Sequence, residues 1–311
     1  MLPTPAARPT MYFIGVTTGS SSIMKVFPRW AAALGRPDVA LKGIDLPIHA
    51  PREVYREVVR FIKNDPLSIG ALVTTHKIDL YAACADLFEY ADHYAKAFGE
   101  LSSISKQGEL LCAHAKDPIS SGLALEQFVP RDYWKRYGGD VLLMGAGGSS
   151  ISMGSYLMRE EAAGNYPRRI VVTNRSKPRL EAIERIFSAL TPGGIELCYH
   201  LCPTAEDNDA VLATLPPHSL VVNATGLGKD QPGSPLTDAA LFPEDSLAWE
   251  INYRGDLKFM HQARAQQAGR RLAVEDGWMY FIFGWTQVIA EVFHTEIADD
   301  MLSELSRLAK L

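Results

Sequence analysis

Residues 141–150 read VLLMGAGGSS. The apolar run Asp140–Met144 leads into Gly145-Ala146-Gly147-Gly148, and Ser149–Ala163 then carries a helical pattern. A short buried strand, a glycine turn and a helix open a dinucleotide-binding βαβ unit. Glycines let the backbone bend tightly and approach a pyrophosphate. Free N–H groups at the helix start, with the positive end of the helix dipole, then hold the phosphate charge. Ser150 stands where G-x-G-x-x-G would place its third glycine, so the match is to a variant.

Working outward, Arg169–Thr173, Leu220–Asn223 and Leu247–Ile251 read as further buried strands, with a helix over Leu180–Leu190. Upstream, strands are predicted at Met11–Thr17, Leu41–Leu46 and Ile69–Thr74. Helices are predicted at Pro28–Leu34, Arg52–Lys63 and from Ile78. Val54, Val58, Phe61 and Ile62 supply helical spacing in the second of these. Leu101–Ser105 and Glu109–His114 pair around the turn signal Gln107-Gly108. Arg131–Gly139 reads as a connection, Glu160-Glu161 as a solvated helix face, and Trp278–Leu311 as helical. Short apolar strands alternating with helices imply an α/β fold with a mainly parallel sheet. The expected domains are 1–125 plus 278–311, and 126–277, the second a Rossmann-type doubly wound unit.

The whole chain fits this frame. Its 311 residues carry 31 Lys and Arg against 36 Asp and Glu, a formal charge of −5, with 47% hydrophobic and 22% charged residues. That composition excludes disorder as the main state and gives no basic surface for general nucleic-acid binding. No apolar run is long enough to span a membrane, and the opening MLPTPAARPTMYFIGV does not resemble a leader, so a cytoplasmic protein is expected. Four cysteines (84, 112, 198 and 202) are too sparse for a disulfide scaffold. Cys198 and Cys202 lack a second ligand pair, so no metal is expected.

The end of the second strand of the unit discriminates between cofactors. NAD sites place a carboxylate there for the ribose 2′-hydroxyl. This chain has Asn174-Arg175-Ser176-Lys177. Arg175 suits a 2′-phosphate or an adenine face, and Asn174, Ser176 and Lys177 add polar groups and charge. NADP is therefore expected over NAD.

The order of motifs resembles the shikimate and quinate dehydrogenase family along nearly the whole chain. The Ser-x-Ser motif is similar to Ser20-Ser21-Ser22, with Trp30 at the downstream aromatic position. Val-Thr-x-Pro-His-Lys becomes Val73-Thr74-Thr75-His76-Lys77, one residue short and without proline. Asn-Thr-Asp-Gly becomes Ala115-Lys116-Asp117-Pro118, and Asp-x-x-Tyr becomes Glu250-Ile251-Asn252-Tyr253. The Gly-Ala-Gly-Gly turn and the Asn-Arg-Thr/Ser motif are present as Gly145–Gly148 and Asn174–Ser176. Asn-Ala-Thr-x-x-Gly is present as Asn223-Ala224-Thr225-Gly226-Leu227-Gly228, and Gly-x-x-Met-Leu resembles Gly277-Trp278-Met279-Tyr280.

The resemblance implies a substrate domain and a nucleotide domain flanking a cleft, and an NADP-dependent oxidoreductase acting on a small cyclic hydroxy or keto acid. It assigns the acid/base pair to Lys77 and Asp117. It places Ser20, Ser22, Thr74, Thr75, Ser102 and Tyr253 on the substrate. The cofactor falls to Gly145, Ala146, Gly147, Gly148, Ser149, Asn174, Arg175, Ser176, Lys177, Asn223, Ala224, Thr225 and Gly277. Alcohol oxidation needs a base in reach of the hydroxyl while hydride leaves carbon, and a lysine held by a carboxylate can shuttle that proton. His76 beside Lys77 is a candidate second proton carrier or a packing residue. The protein would act as a monomer or homodimer.

Departures from the pattern concern the substrate. The family's Gly-Ala-x-Asn-Thr stretch is Gly99-Glu100-Leu101-Ser102-Ser103, so Ser102 replaces the asparagine. Phe283 falls at the spacing of the family glutamine, with Gln287 one turn later. Two other readings use the same motifs: a dinucleotide-binding sensor without turnover, and a folate one-carbon dehydrogenase. Lys77 and Asp117 argue against the first, the Ser-x-Ser and Asn-Arg-Ser segments against the second.

Overall fold

A computed structural model describes residues 4–159, 162, 164–190, 194–229 and 231–310, so Glu160-Glu161 lie outside the described residues. The chain divides into two compact units, Met1–Asp117 with Gly284–Leu311, and Pro118–Phe283.

The first unit contains β1 (Thr10–Gly15), α1 (Ile23–Ala33), β2 (Ala40–Asp45), α2 (Arg52–Asn64), β3 (Ser68–Val73), α3 (Lys77–Cys84), β4 (Tyr90–Ala91), α4 (His93–Phe98), β5 (Ser103–Gln107) and β6 (Leu110–His114). Its sheet runs β2-β1-β3-β5-β6-β4, with β5 antiparallel to both neighbours. Tyr12, Ile14, Val58, Val59, Ile62, Val73 and Leu80 form its core under α2 and α3. The predicted helix at Pro28 begins five residues earlier. Ile23, Val26, Phe27, Trp30 and Ala31 form one buried stripe, and Pro28 sits inside the helix. A proline favours helix starts, but here the apolar stripe decides.

The second unit holds α5 (Asp117–Glu126), whose first residue closes the first unit, then α6 (Tyr133–Tyr137), β7 (Val141–Met144), α7 (Gly148–Leu157), β8 (Arg169–Asn174), α8 (Lys177–Leu190), β9 (Glu196–Leu201), α9 (Ala205–Leu212), β10 (Leu220–Asn223), β11 (Leu247–Glu250), α10 (Lys258–Arg270) and β12 (Ala273–Glu275). Every strand pair in its β12-β11-β10-β7-β8-β9 sheet is parallel. This is the doubly wound order, whose ligand crevice lies at the carboxyl ends beside the switch point between β7 and β10. The connection predicted at Arg131–Gly139 contains α6. The buried Asp140 carboxylate anchors the start of β7 through bonds from Arg168 Nε (3.0 Å) and Arg169 Nε (2.8 Å).

The C-terminal stretch forms two helices, α11 (Trp278–Phe293) and α12 (Asp299–Ala309), and the unit boundary falls inside α11. Trp30 donates its indole N–H to the Leu305 carbonyl at 2.7 Å, tying α1 to α12. Among the described residues no helix is long and apolar enough to cross a membrane.

Candidate active site

The nucleotide-type turn lies in the second unit. Gly145 leaves β7 with φ +113°, and an added Cβ would lie 2.6 Å from the Ala224 carbonyl oxygen. Only glycine fits that conformation and that approach. Ser150, at the position of the missing third glycine, is buried and donates its hydroxyl to the Gly145 carbonyl at 2.6 Å. The hydroxyl thus braces the turn from within α7.

A cavity of about 840 Å³ opens beside this turn. Gly145, Ala146 and Gly147 line it, as do Asn174, Arg175 and Ser176 after β8 and Ala224 and Thr225 after β10. Among the described residues that line it there is no carboxylate. The Asn174 carboxamide accepts from the Ser176 N–H at 2.9 Å, which curls the loop and leaves Arg175 exposed. Arg179, which the sequence reading missed, also lines the cavity. Its position five after Asn174, at the start of α8, was the available signal. Lys177 instead lies 3.8 Å from Glu181, outside the lining, where Gly148, Ser149, Asn223 and Gly277 are also absent. Ser149 accepts from the Tyr280 hydroxyl at 3.4 Å. Gly277 packs against the end of β11, where a Cβ would meet the Ile251 carbonyl oxygen at 2.0 Å.

Asn223 works from behind the cavity. Its Oδ1 accepts from the Thr225 N–H (3.1 Å) and hydroxyl (2.6 Å), while its Nδ2 donates to Glu250 at 2.7 Å. The other Glu250 oxygen accepts from the Asn252 backbone N–H (3.0 Å) and Nδ2 (2.6 Å). Burial pushes the Glu250 carboxyl up to about 7, against those hydrogen bonds. Tyr253 follows this network and lies against Phe281, with ring centroids 4.5 Å apart and planes tilted by 31°.

The second constellation lies in the first unit, at the carboxyl ends of β1, β3 and β6. Lys77, the first residue of α3, is hydrogen-bonded to Asp117, the first residue of α5. Their side chains are 23% and 19% exposed, so both reach solvent while shielded from it. The loop before Lys77 is strained. Thr75 has φ +54°, an outlier for a β-branched residue, in the stretch that is one residue short of the family motif. His76 is buried, with Nδ1 3.1 Å from the Tyr55 hydroxyl and Nε2 unpartnered among the described residues. It packs under the loop. The Thr74 N–H donates to the Ile14 carbonyl at 3.0 Å.

The Asp117 side of the pair is held by groups the sequence did not advertise. Asp92 accepts from the Ala115 N–H at 3.2 Å. Ser102 accepts from the Lys116 N–H at 2.8 Å, so one acceptor site of its hydroxyl holds the loop carrying Asp117. Lys116 pairs with Glu291 of α11 at 2.5 Å, and the other Glu291 oxygen lies 3.2 Å from His114. Burial pushes Glu291 up, but Lys116, His114 and His294 outweigh it and hold it below the usual carboxylate range. Gln287 lines a cavity of about 590 Å³ with Lys116 and Glu291, whereas Phe283 is buried. Ser20 and Ser22 are exposed, and the Ser20 hydroxyl donates to the Thr17 carbonyl at 2.8 Å. Their turn is pinned to β2 by Asp45, which accepts from the Thr18 N–H (2.8 Å) and hydroxyl (2.5 Å). Among the described residues no group of three or more His, Cys, Asp or Glu could hold a metal ion.

No family model matches the chain. Among curated proteins, the NADP(+) shikimate dehydrogenase of Methanothrix thermoacetophila is 27% identical over 242 residues, covering 78% of each chain. That of Methylobacterium radiotolerans is 27% identical over 286 residues, covering 87% of this chain and 86% of the relative. Among solved structures, quinate dehydrogenase from Corynebacterium glutamicum in complex with NAD superposes with a TM-score of 0.73 at 18% identity, covering 97% and 98% of the two chains. Shikimate 5-dehydrogenase from Thermus thermophilus in complex with NADP(H) and shikimate superposes with a TM-score of 0.70 at 20% identity, covering 96% and 99%. With its Rossmann-type unit and its motif order, the chain is similar to the NADP(+) shikimate dehydrogenases in sequence and to the shikimate and quinate dehydrogenases in fold.

Proposed function

We propose that the chain is an NADP-dependent oxidoreductase that moves a hydride reversibly between NADP(H) and a small cyclic hydroxy or keto acid. The contact between Lys77 and Asp117 carries this reading. Bound nicotinamide supplies or takes the hydride. For reduction, the Lys77 ammonium is a proton donor to the carbonyl oxygen; for oxidation, its neutral amine accepts the alcohol proton. Asp117 orients Lys77, and the pair shares one proton inventory. The Lys77–Asp117 pair also favours turnover over a binding-only sensor.

In the second unit, the Gly145–Gly147 turn and the start of α7 suit the pyrophosphate, and Arg175 with Arg179 suits a 2′-phosphate. In the first unit, Ser20 and Ser22 offer hydroxyl donors to a substrate carboxylate. The NADP(+) named for the curated relatives supports the cofactor choice.

The reading disfavours shikimate itself as the best substrate. Ser102 holds Lys116 and cannot supply the acceptor and paired donors of a carboxamide. A buried substrate hydroxyl left unpaired costs on the order of 1–3 kcal/mol. The test is kcat/KM for shikimate, quinate and ring acids with fewer or displaced hydroxyls, each with NADP⁺ and NAD⁺. The expectation is NADP⁺-dependent turnover, best for an acid other than shikimate. Absence of turnover across the panel would overturn the activity. Shikimate as the best substrate would overturn only the specificity.

A further inference from the structure

Glu100 is absent from the scheme above, yet it stands beside the acid/base pair. Gly99 ends α4 in the left-handed conformation, φ +64°, and turns the chain inward. The Leu101 N–H then donates to the Lys77 carbonyl at 3.3 Å, which lays residue 100 along the start of α3. The Glu100 side chain belongs to a residue only 6% exposed. Lys77 from α3 and Asp117 from α5 are the charged groups whose fields reach it. The family stretch Gly-Ala-x-Asn-Thr has alanine at this place, so here a carboxyl group is added where a carboxamide two residues later is lost.

We propose that Glu100 is a positioning residue of the Lys77–Asp117 pair, a second carboxyl whose charge state sets the pH range over which Lys77 serves as the acid in keto-acid reduction. The inference rests on the reaction assigned above. With Glu100 neutral, the ammonium and the Asp117 carboxylate balance. With Glu100 ionised, the cluster carries one net negative charge. That charge tightens the hold on the Lys77 proton and repels an anionic substrate. Burial, the largest influence, pushes Glu100 up to about 7, Lys77 pulls it down and Asp117 pushes it back up. The switch therefore falls in the neutral range. Reduction weakens as pH rises through it, and oxidation, which needs neutral Lys77, is displaced to higher pH.

The test uses the full chain and the variants Glu100→Gln and Glu100→Ala, the second being the residue of the family stretch. Two readouts are compared with wild type. The first is the pH profile of kcat/KM for NADPH-dependent reduction of the best keto acid. Wild type should lose activity severalfold between about pH 6 and 8, and both variants should be flat there. The second needs no turnover: competitive acetylation of Lys77 at graded pH, read by mass spectrometry. Removing the neighbouring negative charge should move half-labelling down by roughly half a unit, about threefold more label at a fixed pH. If folded variants keep both the profile and the labelling of wild type, the proposal is wrong. If labelling shifts but no keto acid is reduced, the Glu100–Lys77 coupling stands and the assigned reaction is what fails.

Discussion

The ends of β7 and β3 make the same kind of turn in opposite ways. After β7 the chain turns on glycine: Gly145 takes φ +113° at no steric cost, Ser150 braces it, and the helix that follows presents backbone N–H groups. After β3 it turns on Thr75 at φ +54°, a conformation that costs a β-branched residue roughly 1–3 kcal/mol. The first turn offers backbone, which any phosphate would meet alike. The second presents one particular side chain, Lys77, to a carboxylate 40 residues away. The lesson is about where strain and buried charge collect. The glycine turn is relaxed, while the corner that holds the Lys77–Asp117 pair carries Thr75, Glu100 and Glu291.

The largest effect that could break this contrast is on turnover. Lys77→Ala should lower kcat by roughly 10²–10⁴-fold, the range for a positioned acid/base. NADPH affinity, measured by fluorescence titration, should hold, because the described residues lining the cavity proposed for the nucleotide belong to the other unit. Loss of affinity with preserved kcat would invert the assignment.

Next comes stability against pH. Glu250 in one unit and Glu100 in the other are both raised from 4.5 to about 7 by burial. Each native carboxyl then keeps its proton to higher pH than in the unfolded chain. The stability it contributes is complete below about pH 4.5 and is lost as pH rises to about 7, on the order of 3 kcal/mol per group. Urea unfolding at pH 5 and pH 7.5 should show Glu100→Gln and Glu250→Gln each with a smaller loss than wild type. Equal losses in all three would remove these carboxyls from the account.

A smaller effect separates the cofactors. Arg175→Ala should weaken NADPH by roughly 1.5–3 kcal/mol, about ten- to more than a hundredfold, and NADH far less. Equal weakening would place the guanidinium on the adenine face instead of the 2′-phosphate. The smallest concerns the strained turn. Thr75→Gly relieves the left-handed conformation, so the melting temperature should hold or rise while kcat falls as Lys77 loosens. A fall in melting temperature with unchanged kcat would show that Thr75 packs and does not position.

What the sequence disclosed follows the same division. The strand–turn–helix at Val141–Leu157, the Asn174 loop and Leu220–Asn223 were legible because the signal is local: consecutive apolar residues, then glycine or asparagine at a fixed offset. Edge strand β9 was missed because half-exposed Leu197, Cys198 and Tyr199 run together with no clean alternation. Helix α10 was missed because only Phe259, Met260 and Ala263 are buried in a polar stretch. Lys77 and Asp117 came from motif resemblance, not from periodicity. Asp92, Glu100 and Glu291 acquire meaning only when chain segments far apart in sequence converge on Ala115, Lys77 and Lys116. Ser102 was read as a substrate contact from its place in a motif, and only its bond to the Lys116 N–H reveals how its oxygen is used.

The most direct test of the account follows the hydride. Wild-type protein is given the best keto acid of the panel and NADPH carrying deuterium at the transferable C4 position, and the product is weighed by mass spectrometry. The account predicts one deuterium at the new carbinol carbon for each NADPH consumed, and an almost complete loss of that product with Lys77→Ala. NADPH bound or oxidised without deuterium in the product would contradict it.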